Sequence, residues 1–527
     1  MPGVRAVLGA DVVIVGAGPT GSALAVRLSD DTTPGAARSV QLLEAGPAPA
    51  TCDAVPPEVL DGTRMAAARP GHALNWSFTG KVAPGTRRPV PRGRVAGGSG
   101  AINGGVFIRG TREDFDAIAA LGHPDWSYER VLPSFAAVEH DHDFAGPPHG
   151  RRGPVPVRRT FPGSASPLTE AFWAACRGLG YPWEPDKNAP GPPGVGPVPV
   201  NVVSGIRHSA LLTHLLPHAG RPHLTVRGGV LVRRILFAGT RAIGVEAETE
   251  GRVQVVRGDE IVLAAGAIGS ARLLLLSGVG PADELADLGI RVVHGAPAVG
   301  RAVTDHPGVA VGITPVPSAV PAARTAVVEA ALHAVSTAAD EGTGARRDGD
   351  LEIMPYTAPF TELIPGGAGT PPGEVAFGVT LLRTASSGAI RLASADPHAP
   401  PLITYRHLTS AADRARLREG VRRCAEILTS APLRRLTASY GGPPAAVLGS
   451  DRALDTWIGE RVSTANHLSG GCAMGEVTDA QGRVHGVTGL RVADSSILPR
   501  APSRGTAATA AMMGEHLARS FPPTLES

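Results

Sequence analysis

The sequence DVVIVGAGPTGSALAVRL, residues 11–28, decides the first part of the fold. Its first five residues form the apolar run of a buried strand, and the glycine-rich GAGPTG at 16–21 follows directly. A helical pattern comes next, and the apolar SVQLL at 39–43 predicts a second strand. A G-x-G-x-x-G motif in this strand–turn–helix–strand context predicts a dinucleotide-binding site.

The glycines of this motif and the acid after the second strand have separate roles in such a site. Gly16 allows the tight turn, Gly18 lets a pyrophosphate approach the backbone, and Gly21 permits close packing of helix on strand. The phosphates would lie at the helix N-terminus, whose amides attract anions. Glu44 can accept hydrogen bonds from the adenosine ribose, and an acid at this position disfavours NADP.

A second dense glycine cluster, RGRVAGGSGAINGG, covers residues 92–105. Consecutive amide groups in such a run can bind an anion or lie against a flat ring. The flanking arginines and the apolar Val-Phe-Ile at 106–108 argue against a flexible loop.

Further along the chain, short apolar segments at 224–226, 230–237 and 242–246 predict consecutive strands. EIVLAAGAIGS at 260–270 predicts another buried strand that enters a glycine turn. The helix after it ends at SGVGP, residues 277–281, because Gly and Pro stop helices. This is a second βα unit of the doubly wound type.

The middle of the chain differs in character. An Ala-rich stretch at about 318–339 predicts a helix, and alternation around 376–382 predicts a strand. An amphipathic helix is expected at about 411–428. Strands followed by a helix predict a domain built on an antiparallel sheet over 303–460. Residues 140–200 are rich in Gly, Pro, His and Arg and are expected to form surface excursions.

Near the C-terminus, NHLSGGCAMG at 466–475 places a single histidine among small residues. Glycines there let the backbone approach something flat and large. A lone His in such a loop is more often structural than catalytic. Because a redox cofactor predicted from the other end of the chain needs a proton-accepting partner, His467 is the best candidate.

Composition excludes several classes of protein. The chain has 527 residues, which predicts at least two domains, and a net charge of +3, which disfavours nucleic-acid binding. We expect no membrane span and no secretion signal. The four cysteines are scattered in a way that suits neither a disulfide framework nor a metal site. These features predict a cytoplasmic location, free or peripheral to a membrane.

Together the motifs resemble the glucose–methanol–choline (GMC) family of flavoprotein oxidoreductases over nearly the whole chain. GGSGAIN at 97–103 is similar to the first family signature and residues 266–281 to the second. HLSGGCAMG at 467–475 is similar to the family's H-x-x-G-T-x-x-M-G, with Gly471 in place of Thr. GSGAINGG at 98–105 and PRAPSRG at 499–505 resemble the mycofactocin-associated branch.

The resemblance implies an α/β fold: a Rossmann-type FAD-binding domain with an interleaved α+β substrate domain. The FAD domain would comprise residues 8–150, 200–302 and 461–527, and the substrate domain 151–199 and 303–460.

The resemblance also implies FAD. Some family members attach it through a His that corresponds to Ile102 here, so a non-covalent flavin is expected. Asn103 would lie near the isoalloxazine, Val232 would meet the adenine through its backbone, and Asp494 would hold the ribityl–phosphate region. The full implied cofactor set is Gly16, Gly18, Gly21, Glu44, Ala45, Arg94, Gly97, Gly98, Ser99, Asn103, Gly104, Val232, Ala265, Asp494 and Ala508.

One position departs from the family pattern. The family pairs its active-site His with an Asn or a second His in the last helix, and the corresponding residue here is Ala507. An Ala side chain cannot hydrogen-bond a substrate oxygen. His306, Asn466 and Arg504 are candidate substitutes.

The resemblance implies FAD-dependent oxidation of a CH–OH group to a carbonyl. His467 would act as general base, with hydride transfer to flavin N5. The substrate would be a small alcohol or a reduced redox carrier, and oxygen, a quinone or a carrier would accept the electrons. The alternatives are an FAD-containing lyase of the hydroxynitrile-lyase type and a flavin-bound accessory protein without turnover. No metal is expected.

Overall fold

A computed structural model describes residues 6–31, 37–320, 323–338, 347–366 and 371–521. The strands are β1 (Ala6–Val15), β2 (Val40–Leu43), β3 (Phe78–Ala83), β4 (Thr86–Val90), β5 (Glu139–Asp141), β6 (Val155–Val157), β7 (Val195–Pro197), β8 (Val202–Val203), β9 (Ile206–Arg207), β10 (Leu224–Arg227), β11 (Leu231–Ala238), β12 (Arg241–Thr249), β13 (Arg252–Leu263), β14 (Val279–Gly280), β15 (His294–Gly295), β16 (Pro307–Pro315), β17 (Ala330–Ala334), β18 (Leu351–Pro355), β19 (Val375–Leu381), β20 (Ala389–Arg391), β21 (Leu402–Thr404), β22 (Thr437–Tyr440), β23 (Ser463–Thr464) and β24 (Leu490–Val492).

Helices connect and cover these strands. They are α1 (Pro19–Leu28), α2 (Pro57–Leu60), α3 (Arg112–Ala120), α4 (Tyr128–Val138), α5 (Pro167–Gly178), α6 (Gly266–Leu276), α7 (Ala282–Asp287), α8 (Phe360–Leu363), α9 (Ala411–Thr429), α10 (Ala431–Arg434), α11 (Ala445–Leu448), α12 (Asp451–Arg461) and α13 (Thr506–Ala518). Within the described ranges, no helix is long and apolar enough to cross a membrane.

The first large sheet contains the N-terminal motif. Its parallel part has the order β10-β2-β1-β13-β24, and β11 and β12 extend it as an antiparallel meander. β13 belongs to both parts, because its first half pairs with β12 and its second half with β24. The apolar Val12, Ile14 and Leu42 at the centre of the parallel part are fully buried. The predicted doubly wound α/β fold is confirmed.

The second large sheet is antiparallel, with the order β22-β16-β19-β18-β17-β7 and with β23 beside β16. The long helix α9 packs on β19 and β18 and covers one face of this sheet. Its buried Leu417, Val421 and Leu428 supply the apolar stripe that the amphipathic pattern predicts. The expected antiparallel sheet and its covering helix are therefore present. The proposed domain boundaries themselves stay a prediction.

The helix expected at about 318–339 is wrong for the described residues of that stretch. Residues 330–334 form β17, which pairs with β18 on one side and β7 on the other. All its residues are buried because α5 packs against it. Alanine has the highest helix propensity, but propensity is a small term that two strand partners and a covering helix override here.

The surface excursions expected at 140–200 are also wrong in part. Helix α5 packs into the interior, where its Phe172 and Trp173 side chains are buried. A buried ion network centres on His149, whose ring contacts Glu139, Asp141 and Asp186. Burial acts to lower the pKa of His149, but these hydrogen-bonded carboxylates raise it to about 10. Arg109 forms an ion pair with Glu139, and Arg159 forms one with Asp141. Charged residues in this stretch indicate paired interior groups rather than solvent exposure.

The C-terminal helix α13 packs against α1. The crossing is close: a Cβ on Gly514 would lie 2.6 Å from the Cβ of Ala23. Thr20 donates a hydrogen bond to the Ala510 carbonyl at 2.7 Å. This packing brings the first turn of α13 next to the N-terminal glycine motif.

Candidate active site

A cavity of about 650 Å³ lies between the two large sheets. One wall carries the glycine motifs, and the other carries the exposed face of the antiparallel sheet. The loop that contains His467 and the first turn of α13 also line it.

Two glycine clusters, distant in sequence, form a cradle on the first wall. The amide of Gly97 donates a hydrogen bond to the Ala17 carbonyl at 2.7 Å. A Cβ on Gly98, whose φ is +55°, would lie 2.8 Å from the Cα of Gly18. At Gly18 itself the direction of a Cβ is open, since it points into the cavity. A Cβ on Gly21 would clash with the Gly16 carbonyl at 2.1 Å, so helix and turn need glycine there.

Two buried carboxylates flank this cradle. Glu44 accepts hydrogen bonds from the amides of Ala17 at 3.1 Å and Gly46 at 3.0 Å. Asp494 accepts from the Gly266 amide at 2.9 Å and the Ser270 hydroxyl at 2.5 Å. Burial raises the pKa of each carboxyl, and these donors act against the rise. Oδ2 of Asp494 accepts both of these bonds, whereas its Oδ1 and the Glu44 carboxylate keep lone-pair capacity for a sugar hydroxyl.

These features fit an elongated dinucleotide. The cradle admits a pyrophosphate against bare backbone at the N-terminus of α1. On either side of it, the two carboxylates can accept hydrogen bonds from sugar hydroxyl groups. The residues present therefore fit the FAD that the sequence resemblance implies.

A pair of histidines lies at the other end of the cavity. Nδ1 of His306 and Nδ1 of His467 are 2.9 Å apart, with the rings edge to face. The carboxylate of Asp305 fixes both, because its Oδ1 accepts from the amides of His306 at 2.7 Å and His467 at 2.8 Å. The Thr464 hydroxyl donates to its other oxygen. The His467 loop is thus tied to the start of β16.

Both histidines are neutral at neutral pH. Burial lowers the pKa of His467, although the charges of Asp305 and Glu352 act to raise it. Burial also lowers the pKa of His306 well below its usual range, and the positive charge of Arg504 adds to the effect. In a neutral pair one Nδ1 donates and the other accepts.

Ala507 lies in the first turn of α13 and lines the cavity, as do Thr506 and Gly505. A Cβ on Gly505, the N-cap, would lie 3.4 Å from Nε2 of His467. Among the described residues no side chain caps this helix. Its first amides, which lack intrahelical partners, therefore lie beside the histidine ring.

The structure brings most of the predicted site residues to the cavity, and the others lie behind it. Asn466 lines the cavity with a left-handed φ of 67° and accepts from Arg92 at 3.2 Å. The Arg94 guanidinium covers Trp76, itself a lining residue. The predicted residues that do not line the cavity are Gly21, Arg94, Gly97, His306, Arg504 and Ala508. The predicted residues that line it are Gly16, Gly18, Glu44, Ala45, Gly98, Ser99, Asn103, Gly104, Val232, Ala265, Asn466, His467, Asp494 and Ala507.

Sequence reasoning missed the whole second wall. Glu352, Met354 and Tyr356 occupy alternate positions along and just beyond β18 and all line the cavity. On β19, Thr380 pairs with Glu352 and Gly378 pairs with Met354. The alternation of 352, 354 and 356 is the signal that could have identified this face.

Glu352 is held by a chain of buried groups. Lys187 donates to Glu184 at 2.5 Å and to Nδ1 of His333 at 3.2 Å. A lysine ammonium only donates, so the proton of the neutral His333 ring is on Nε2. That nitrogen donates to Oε2 of Glu352 at 3.1 Å.

A Rossmann-type dinucleotide cradle that opens onto a buried histidine pair defines an α/β oxidoreductase. Family models described as GMC oxidoreductase match residues 10–308 and, for the C-terminal part, residues 384–514. The chain belongs to the GMC oxidoreductase family.

Curated relatives and solved structures agree with this assignment. An uncharacterised GMC-type oxidoreductase of Rhodococcus erythropolis is 38% identical over 96% of this chain and 97% of its own. An oxygen-dependent choline dehydrogenase of Rhizobium etli is 33% identical over 97% of this chain and 95% of its own. The crystal structure of a pyridoxine 4-oxidase from Mesorbium loti superposes with a TM-score of 0.85 at 28% identity, covering 97% and 99% of the two chains.

Proposed function

We propose that this protein oxidises a CH–OH group to a carbonyl with non-covalent FAD, and that His467 is the general base. One observation carries the proposal: a neutral, buried histidine lines the same cavity as the dinucleotide cradle. Relatives named choline dehydrogenase and pyridoxine 4-oxidase support a small-molecule alcohol as substrate.

The residues of the first wall would hold the cofactor. Gly18 and Gly98 would face the pyrophosphate, Glu44 the adenosine ribose and Asp494 the ribityl chain, and the remaining cavity-lining cofactor residues would complete the contact. When bound, FAD would supply the acceptor for the hydride that leaves the carbinol carbon. Ile102 lines the cavity and has no nucleophilic atom, which supports non-covalent binding.

The histidine pair sets which nitrogen of His467 takes the proton. The Leu382 backbone beside His306 favours a proton on that ring and acts to raise its pKa, although burial lowers that pKa overall. We assign this proton to Nε2 of His306, so that its Nδ1 accepts from Nδ1–H of His467. Nε2 of His467 then carries the lone pair, next to the N-cap of α13. His306 is a positioning residue in this account, since it sets the tautomer from behind the cavity wall.

The first turn of α13 would compensate for Ala507. As the hydroxyl loses its proton, negative charge develops on the substrate oxygen. Uncapped amides at a helix N-terminus stabilise such charge, and Thr506 and Ala507, which begin the uncapped α13, line the same cavity as His467. The Thr506 hydroxyl lines the same space. A side-chain donor at 507 is therefore not required.

All four cysteines are free, which supports the proposed cytoplasmic location. The resemblance to the mycofactocin-associated branch keeps a reduced redox carrier as an alternative substrate. The electron acceptor stays open between oxygen, a quinone and a carrier.

The test is the visible spectrum of the FAD-loaded protein, mixed anaerobically with a panel of sugars, aryl alcohols, aliphatic alcohols and amino-alcohols and then opened to air. Loss of the oxidised-flavin band with formation of a carbonyl product is the expected result. Fast recovery in air identifies an oxidase, and slow recovery a dehydrogenase. Cyanide or aldehyde release with the flavin still oxidised would replace the proposal by the lyase alternative, and no reaction with any compound would favour the accessory alternative.

A further inference from the structure

The second wall of the cavity carries one carboxylate, that of Glu352. Its cross-strand partner Thr380 also lines the cavity, and the other neighbours on this face are mainly apolar or small: Met354 and Tyr356 on its own side, with Gly308, Ala310 and Gly378 on the next two strands. Phe360 lies against Tyr356 with ring centroids 4.5 Å apart. An acid at this position is unusual because isolated charges are costly in an apolar cavity.

The surroundings of the Glu352 carboxyl group favour its ionised form. Burial acts to raise its pKa, but the hydrogen bond from His333 and the positive charge of Arg504 act to lower it, and the pKa is lowered overall. His333 occupies only Oε2. Among the residues that the structure describes, no donor is hydrogen-bonded to Oε1.

The nearby cations do not use this second oxygen. Lys187 directs its protons to Glu184, the Gly194 carbonyl and His333. Arg504 donates to the carbonyls of Ser503 and Asp348. One face of an anchored carboxylate thus remains available on the cavity side.

We propose that Glu352 binds a cationic nitrogen of the substrate, so that the preferred substrates are alcohols bearing an ammonium or pyridinium group. This rests on the proposed alcohol oxidation and adds the substrate class to it. Glu352 and His467 line the same cavity, so one small alcohol could contact Glu352 with its cationic group and His467 with its carbinol.

The surroundings of Glu352 suit such a head group. Gly378 on the adjacent strand and Gly308 on the strand after that line the cavity and carry no side chain. The Tyr356–Phe360 ring pair offers aromatic faces that attract cations. Burial raises the pKa of Tyr356 to about 12, so its phenol stays neutral and adds no competing charge.

The experiment compares matched probes that differ in charge and hardly in shape. Choline is paired with its neutral carbon isostere 3,3-dimethylbutan-1-ol, and 3-(hydroxymethyl)-N-methylpyridinium with 3-methylbenzyl alcohol. The FAD-loaded wild type, Glu352→Gln and the control Glu374→Gln are each measured for anaerobic flavin reduction. Glu374 precedes β19 in the same sheet and does not line the cavity. Spectral perturbation of the flavin by tetramethylammonium and by N-methylpyridinium gives binding without turnover.

The cationic member of at least one pair should be preferred by about 10- to 100-fold in kcat/KM, the range of a charge-assisted contact. Glu352→Gln should remove that preference through KM and weaken binding of the matching cation, so that this variant uses the charged and neutral members of the pair about equally well. Glu374→Gln should behave as wild type.

Equal use of the charged and neutral members by the wild type, or a cation preference that survives Glu352→Gln, would overturn the assignment to Glu352 while leaving alcohol oxidation intact. Failure of the proposed function has a different signature, since then no alcohol of either charge reduces the flavin. If Glu352→Gln does not fold, Glu352→Asp, which keeps the charge on a shorter side chain, should retain the cation preference with a raised KM.

Discussion

The two walls of the cavity use different physical means. The first wall, which we propose to face the cofactor and call the cofactor wall, is built from backbone: Gly18 and Gly98 expose bare main chain, and Glu44 accepts hydrogen bonds from loop amides. The second wall, which we propose to face the substrate and call the substrate wall, is built from side chains. Strand pairing sets the neighbours of these side chains, since Thr380 and His333 lie opposite Glu352 on the two adjacent strands. Backbone that must be bare requires glycines at a fixed spacing, which is visible in the sequence, whereas residues that are neighbours only across strands share no pattern in the sequence. His467 and the first turn of α13 lie where the two walls meet.

The largest effect is expected from His467→Ala, at the place where the two walls meet. Loss of the base should slow anaerobic flavin reduction by about 10²- to 10⁴-fold, because proton removal from the hydroxyl would lose its acceptor. Stopped-flow absorbance measures it. The exposed His398, which pairs with Glu248 on the surface, gives the control His398→Ala. Reduction of the His467 variant within tenfold of wild type would remove it as the base.

A change on the cofactor wall should act on binding rather than on chemistry. In Gly18→Ala the new Cβ meets no protein atom within 4 Å and points into the cradle. We expect FAD to bind about 10- to 100-fold more weakly, from steric conflict with the pyrophosphate, with no loss of apoprotein thermal stability. Fluorescence titration with FAD and apoprotein melting measure the two quantities.

Gly178→Ala in α5 is the matched control, because its Cβ is equally unobstructed but lies away from the cavity. Unchanged FAD affinity in Gly18→Ala would mean that the cofactor does not lie against this glycine.

A smaller effect is expected from restoring the family residue with Ala507→Asn. If the α13 amides already stabilise the developing alkoxide, an added donor should change the rate of flavin reduction by less than about tenfold. Where such a donor is missing and nothing compensates for it, restoring it would typically raise the rate by about 10²- to 10³-fold. A gain of that larger size would show that the helix N-terminus does not compensate for Ala507.

The smallest effect concerns pH. Burial lowers the pKa of His467 below the ordinary histidine value of about 6.5. The neutral, proton-accepting ring should then persist as pH falls, and flavin reduction should stay constant from alkaline pH down to that ordinary value, declining only below it. A stopped-flow pH series checks this. A decline that begins above the ordinary histidine value would show a raised pKa.

Sequence reasoning found several glycines of the first wall because each acts through a local requirement, and their contact with a cofactor stays a prediction. Gly16, Gly18 and Gly98 lie at the cavity, and the helix after the first motif begins at Pro19. His467 was predicted to face the cofactor because it stands in a run of small residues that continues into Gly470 and Gly471, and it lines the cavity.

The substrate wall was beyond prediction for a physical reason. Residues 330–334 are alanine-rich and were expected to be helical, yet they form a strand because β18 and β7 pair with them. Once that strand is missed, His333 cannot be placed beside Glu352, and the carboxylate goes unnoticed. The direct contact between His306 and His467 likewise depends on Asp305 joining two loops that are 161 residues apart in sequence.

The most direct test of the central claim is a single anaerobic turnover with the alcohol that bleaches the flavin fastest, protiated and deuterated at the carbinol carbon. The account predicts that deuteration slows flavin reduction severalfold, in wild type and in the slower His467→Ala variant, because the carbinol C–H bond breaks as the flavin is reduced. Formation of product with the flavin oxidised throughout would contradict it.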